Sequence, residues 1–161
     1  MRKLLMFFMA LLTLAAATPA SAKRSIMELP PFERAILIIK KFETLHRPCH
    51  WPTIGYGHVV QRGERYTRRQ LSEKEADALL RKDYMKFCNL YKAFGADMYL
   101  LGALAYNVGP AKVNSSTLIK KLRAGDRDII KDYTKFCRYK GKFHKQLHER
   151  RLTEICVLFR P

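Results

Sequence analysis

The chain has 161 residues, with 31 Lys or Arg against 14 Asp or Glu, a net charge of +17. That is the length of one domain able to bury its own core, and the charge points to a polyanionic partner: cell-wall polymer, lipid headgroups or nucleic acid. Lys and Arg are scattered over every segment instead of lining one helix among aromatics, which reads as a solvated surface and sets aside a cationic membrane-active or nucleic-acid-binding protein.

Residues 1–22 read as a secretory signal peptide. Met1-Arg2-Lys3 is a basic start, Leu4 to Ala17 an apolar run, and Ala20-Ser21-Ala22 a small-residue cleavage site. The run has 14 residues, short of the roughly 20 of a spanning helix, so cleavage after Ala22 is favoured over a retained anchor. Without Arg2 and Lys3, 29 cations face 14 acids, a charge of +15 on one domain of residues 23–161. On this reading the protein is exported, to the periplasm or beyond. It is a monomer with no stable membrane insertion once the signal is gone. Cys49, Cys88, Cys137 and Cys156 then lie where disulfides are permitted. Four cysteines allow three pairings, and one or two bridges are expected over free buried thiols.

Pro31 opens the first predicted helix, with Phe32, Ala35, Ile36, Ile39 and Phe42 as its apolar stripe. Glu43 follows Ile39 by four residues and Ile36 by seven, on or beside that face at the helix's C-terminal end. Apolar surroundings and the negative end of the macrodipole both disfavour charge there, so the carboxyl is suited to hold a proton and donate it. The plain alternative is a helix-end glutamate paired to an arginine. Thr53 to Val60 reads as a short strand loosened by Gly55 and Gly57, with Gln61-Arg62-Gly63-Glu64 as the turn of a hairpin.

Leu71, Ser72 and Glu75 form a capping box with a hydrophobic residue before the cap. The helix it starts has Ala76, Leu79, Leu80, Phe87 and Leu90 on its apolar face and ends near Gly95. Asp83 shares that face and needs a partner, for which His58 is a candidate. Met98 to Tyr106 is apolar and small, a helix buried on several sides, broken at Asn107-Val108-Gly109-Pro110. Ser115-Ser116-Thr117 caps Leu118 to Leu122, Asp126 starts a short helix, and Leu147 to Phe159 is the last. Lys82 to Cys88 recurs as Lys131 to Cys137 without any repeat in the flanks. Two similar amphipathic helices account for that, with Cys88 and Cys137 in similar helix-end settings.

Glu43 followed by Thr53-Ile54-Gly55-Tyr56-Gly57-His58 resembles the active-site segment of the phage-type lysozymes, glycoside hydrolase family 24, which include the lambdoid endolysins. Four further stretches resemble the family in the same order: Leu71 to Asp83, Ala105 to Gly109, Ser116 to Asp126, and Arg150-Arg151-Leu152-Thr153-Glu154. The resemblance implies an α+β chain: a mostly helical lysozyme-like fold with a small antiparallel β-hairpin sheet flanking the active-site cleft. It also implies an N-acetylmuramidase that hydrolyses the β-1,4 bond between N-acetylmuramic acid and N-acetylglucosamine of peptidoglycan, without metal or cofactor. Peptidoglycan is anionic, which suits a basic protein. In that scheme Glu43 is the general acid that protonates the leaving oxygen, and Thr53 helps hold the attacking water. Asn107, Ser116 and Thr117 meet the substrate, against plain alternatives as helix caps. His58 and Asp83 form a helix-to-hairpin ion pair, and Arg150 or Arg151 comes close to Glu43.

The sequence departs from the family in one place. Thr53 follows Glu43 by ten residues, a shortened active-site segment with no carboxylate inside it. Glycoside hydrolysis uses a second group opposite the acid, roughly 6.5–9.5 Å away in inverting enzymes. His50 is the candidate base, since a neutral imidazole accepts a proton near neutral pH; Cys49 would have to serve as a free thiolate. The plain alternative for His50 is packing on Trp51. An uncharged base stabilises an oxocarbenium-like transition state less than a carboxylate does. Weak activity is therefore expected, or none, which would leave a peptidoglycan-binding protein of lysozyme fold. His46, Cys49, His50 and His58 have no spacing that points to zinc.

Overall fold

Proline lacks the N–H that a first helical turn leaves unpaired, and Pro31 opens α1 (Pro31–Glu43). In the computed structural model, which describes residues 25–160, Ala35, Ile36, Ile38 and Ile39 of this helix are buried. The expected signal peptide, residues 1–22, lies outside the described residues. After α1 the chain passes through a 3-10 turn, Pro48–His50, into β1 (Thr53–Ile54) and β2 (His58–Val59). These pair antiparallel, Thr53 with Val59 and Ile54 with His58. The hairpin therefore reverses at Gly55-Tyr56-Gly57; Gln61–Glu64 is a turn, as the sequence suggested, closed by the Glu64 N–H on the Gln61 carbonyl at 3.1 Å, but it follows the hairpin. Both glycines take positive φ, 56° and 102°, so what reads as one loosened strand is two strands and their turn.

Ser72 starts α2 (Glu73–Leu90) with the expected capping box: its hydroxyl accepts from the Glu75 N–H, and the Glu75 carboxylate accepts from the Ser72 N–H at 2.8 Å. The helix stops at Leu90, and a 3-10 segment, Lys92–Asp97, leads into α3 (Met98–Val108). Leu100, Leu101, Ala103 and Leu104 of α3 are fully buried, and α1 and α2 pack against it. At the crossing with α2, a Cβ on Gly102 would stand 3.1 Å from the Cys88 sulfur.

Two short helices follow, α4 (Pro110–Asn114) and α5 (Thr117–Arg123). Asp126 caps the Asp128 N–H in a turn, and the next helix, α6 (Ile130–Thr134), begins only at Ile130. A second hairpin, unforeseen in the sequence, joins β3 (Arg138–Tyr139) to β4 (Lys142–Phe143). It runs into α7 (Lys145–Leu158), which packs on α1, α3 and α6. The architecture is thus α+β and mostly helical, with two small antiparallel sheets where one was expected.

The repeated segment is realised position by position. Asp83 and Asp132 are buried and bonded to Lys86 and Lys135, three residues on. Tyr84 and Tyr133 are fully buried, and Cys88 and Cys137 are buried beyond them. The expected disulfides are absent: all four cysteines are free, with Cys49 and Cys156 at the surface. Cys88 is enclosed against Gly102 and Tyr84, and burial pushes its thiol up to about 11. Among the described residues no helix is long and apolar enough to cross a membrane.

Candidate active site

Glu43 closes α1 with its side chain still 21% exposed. One oxygen, Oε1, accepts from Arg150 Nη1 at 2.5 Å and from Asn107 Nδ2 at 3.3 Å. The other, Oε2, faces Gly57, where a Cβ would lie 3.6 Å away. Helical spacing explains the support behind this arrangement. Arg150, Arg151 and Glu154 stand at i, i+1 and i+4 on α7, so one carboxylate reaches both guanidiniums. Glu154 Oε1 accepts from Arg150 Nε at 3.0 Å, and its Oε2 lies 3.2 Å from Arg151 Nη1. Tyr133 of α6 donates its hydroxyl to Glu154 Oε2 at 2.7 Å.

All three α7 side chains are nearly sealed from water. Burial works against the charge of Arg150, but Glu154 and Glu43 more than offset it and hold the guanidinium above its ordinary value. Arg151 Nη2 donates to Asn107 Oδ1 at 2.9 Å. That bond fixes which way the amide points, so Nδ2 is the end directed at Glu43.

The opposite wall is the first hairpin. His58 Nδ1 lies 2.5 Å from Asp83 Oδ2 on α2, and its Nε2 lies 2.8 Å from Glu64 Oε2. Tyr106 of α3 donates to the Tyr56 carbonyl at 2.8 Å, tying the hairpin turn to the central helix. A cavity of about 280 Å³ opens between these parts, lined by Gly57, His58, Lys86, Phe87 and Tyr106 among others. Gly57 lines this space and faces Glu43: a Cβ on it would meet Glu43 Oε2 at 3.6 Å and the Tyr106 ring at 3.8 Å.

Residues 41–154 match the family model described as phage lysozyme. The chain belongs to the phage lysozyme family. The matched span opens two residues before Glu43 and closes on Glu154, so it contains the whole cluster just described. An endolysin of Bacillus phage B103 is 30% identical over 141 residues, covering 76% of this chain and 51% of that protein. An endolysin of Acyrthosiphon pisum secondary endosymbiont phage 1 is 31% identical over 108 residues, covering 58% of this chain and 70% of that one. The chain thus spans about half the length of the first of these relatives. Among solved structures, the muramidase domain of SpmX from Asticaccaulis excentricus superposes with a TM-score of 0.63 at 21% identity, covering 79% of this chain and 95% of that one. The endolysin from Escherichia coli O157:H7 phage FAHEc1 gives 0.63 at 24%, covering 77% and 89%. These two likenesses establish a lysozyme-like fold.

Against the phage lysozyme frame, the other candidate residues divide. Thr53 sits half-buried in β1 beside the buried Ile54, and its hydroxyl makes no hydrogen bond among the described residues. His50 is exposed on its 3-10 turn, edge-on to His46 with ring centroids 5.0 Å apart. Its Nδ1 accepts the Arg47 N–H at 3.2 Å. An accepting Nδ1 leaves the proton of a neutral ring on Nε2, so taking a proton from water at Nδ1 would cost the ring its bond to Arg47, which weighs against the base role.

For Ser116 and Thr117 the sequence favours the helix cap over a substrate contact. Ser116 donates to the Val113 carbonyl and caps Ile119 of α5, and Thr117 donates to Asp132 at 2.9 Å. Both hydroxyls bond within the fold, Ser116 as the N-cap of α5. The Asn107 amide is not a helix cap: it bridges Arg151 and Glu43. Gly57, Tyr106, Tyr133 and Glu154 were missed as site residues. The helical spacing of Glu154 from the arginines was a usable signal, and Gly57 and Tyr106 lie inside stretches that carry the family resemblance; no local pattern announces Tyr133.

Proposed function

We propose that this phage lysozyme family member is an exported N-acetylmuramidase that cleaves the β-1,4 bond between N-acetylmuramic acid and N-acetylglucosamine of peptidoglycan, with Glu43 as general acid. The observation that carries the reading is the asymmetry of the Glu43 carboxyl. Oε1 is taken by two donors, so a transferable proton belongs on Oε2, which faces Gly57, a residue that also lines the cavity. From there it passes to the glycosidic oxygen as the bond breaks and charge builds at the sugar's anomeric carbon. Water held by the Thr53 hydroxyl completes the hydrolysis, and its proton passes to solvent, since no carboxylate stands between Glu43 and Thr53. Turnover is correspondingly slow. The names of its relatives, endolysin and muramidase, support the reaction class. The basic start and apolar run of residues 1–22 support export to the periplasm or beyond, and the surplus of cations suits an anionic polymer.

The test is reducing-end release from purified peptidoglycan. Glu43→Gln is expected to lower it about a hundredfold or more, while His50→Ala stays within about threefold of wild type, its Nδ1 being engaged by the Arg47 N–H. If wild type releases no more than Glu43→Gln, the enzyme reading is wrong, and co-sedimentation with the same polymer then tests a binding protein of lysozyme fold. N-terminal sequencing of the exported protein is expected to begin at Lys23. An N-terminus that still carries Met1 would sink the cleavage.

A further inference from the structure

The β3–β4 hairpin takes no part in the Glu43 cluster. Its pairing sets Arg138 opposite Phe143 and Tyr139 opposite Lys142, so the two aromatics lie on opposite faces of the ribbon, each beside a cation. Both rings are 61% exposed. From Tyr133 to His148 the sequence has no Asp or Glu and five Lys or Arg. Arg138, Lys140, Lys142 and Lys145 are exposed, and none has a carboxylate partner among the described residues. Large rings left bare in company with unpaired cations mark an interaction surface.

The two-sided placement narrows the partner. A flat sugar covers one face of a ribbon, whereas the headgroup layer of a bilayer surrounds both. Aromatic rings settle at that level, and cations there meet lipid phosphates. We propose that the β3–β4 hairpin is a peripheral docking element for an anionic phospholipid surface. Tyr139 and Phe143 enter the headgroup layer, while Arg138, Lys140, Lys142 and Lys145 contact phosphate. An aromatic pair with a basic cluster supplies two weak signals, which gives reversible docking and not insertion. The role of Glu43 does not enter this argument.

A tryptophan at the hairpin reads its surroundings directly, whatever residues 1–24 do. In full-length chain carrying Trp51→Phe, which removes the single native tryptophan, Tyr139→Trp and Phe143→Trp are made separately. Emission is recorded with brominated phosphatidylglycerol vesicles and with brominated phosphatidylcholine vesicles. Expected is a blue shift and quenching at both positions on phosphatidylglycerol alone. Adding Lys140→Ala and Lys142→Ala should raise the lipid concentration needed about thirtyfold, at roughly fivefold per lysine. Emission unmoved by phosphatidylglycerol overturns the proposal. Equal quenching on phosphatidylcholine overturns the anionic preference. A response to purified peptidoglycan in place of vesicles would make the hairpin a glycan contact, and that too overturns it.

Discussion

At the scale of single residues, the site depends on what stands beside each oxygen of Glu43. The sequence set this glutamate at a helix end on an apolar face by spacing alone, and α1 ends there. Its partners were less legible. Arg150 is 107 positions away along the chain, so only the family resemblance nominated it, and the amide bridge through Asn107 depends on a tertiary approach of α3 to α7. His50 shows a different limit: its residue type suits a base, but the sequence does not reveal that a backbone N–H engages its Nδ1. Gly57 makes the sharpest test of the proton's location. Its φ of 102° is one that a side chain resists, and a Cβ would lie 3.6 Å from Oε2. Gly57→Ala is expected to destabilise the fold by about 1–2 kcal/mol and to lower reducing-end release at least tenfold, roughly what a small misplacement at a reacting centre costs. Urea unfolding and the glycan assay on one preparation separate the two effects. A variant with full turnover would show that Oε2 is not the donating oxygen.

At the scale of elements, legibility followed length and capping. α1 and α2 each carry several turns of apolar periodicity and a defined start, and both begin where read. Two-residue strands carry no alternation to detect, which is why β3–β4 was missed among lysines and why the first hairpin's turn was set in the wrong place. The false start at Asp126 has a related cause, because an aspartate serves a turn as readily as a helix cap. Packing between elements was not visible at all, and Gly102 shows why it matters. At the α2–α3 crossing a Cβ there would meet the Cys88 sulfur at 3.1 Å, the Tyr84 ring at 3.2 Å and the Cys88 backbone nitrogen at 3.3 Å. Replacing a helical glycine by alanine gains up to about 1 kcal/mol in propensity, while overpacking a core costs about 1–3 kcal/mol. Gly102→Ala is therefore expected to be net destabilising. Cys88→Ala should recover part of the loss when combined with it, since it removes the nearest obstructing atom. A double-mutant cycle by urea denaturation checks this; strictly additive losses would refute a clash with the sulfur.

At the scale of the whole molecule, the net charge was plain from composition, but its distribution was not. Folding spends carboxylates inward and sideways on cations: Glu33 on Arg81, Asp77 on Lys40 and Arg81, Asp97 on Arg127, Glu154 on both α7 arginines. The unpaired surplus of Lys and Arg is left facing solvent, in position to meet an anionic polymer or surface. Dependence on ionised carboxylates gives the fold an acid limit whose direction follows from linkage. Lys135 and then Thr117 hold Asp132 down from its ordinary 3.8 to about 2. A carboxylate depressed in the folded state contributes stability above its unfolded value and loses it as pH falls through the folded one. The contribution of Asp132 is thus complete above about pH 5, falls most steeply between about pH 4 and 2, and is gone by about pH 1. Asp132→Asn cannot titrate, so it should be less stable than wild type at neutral pH, with a shallower loss between pH 4 and 2. Urea midpoints measured for both proteins across that window decide the matter: equal slopes would mean that Asp132 is as freely ionised in the unfolded chain as in the folded one.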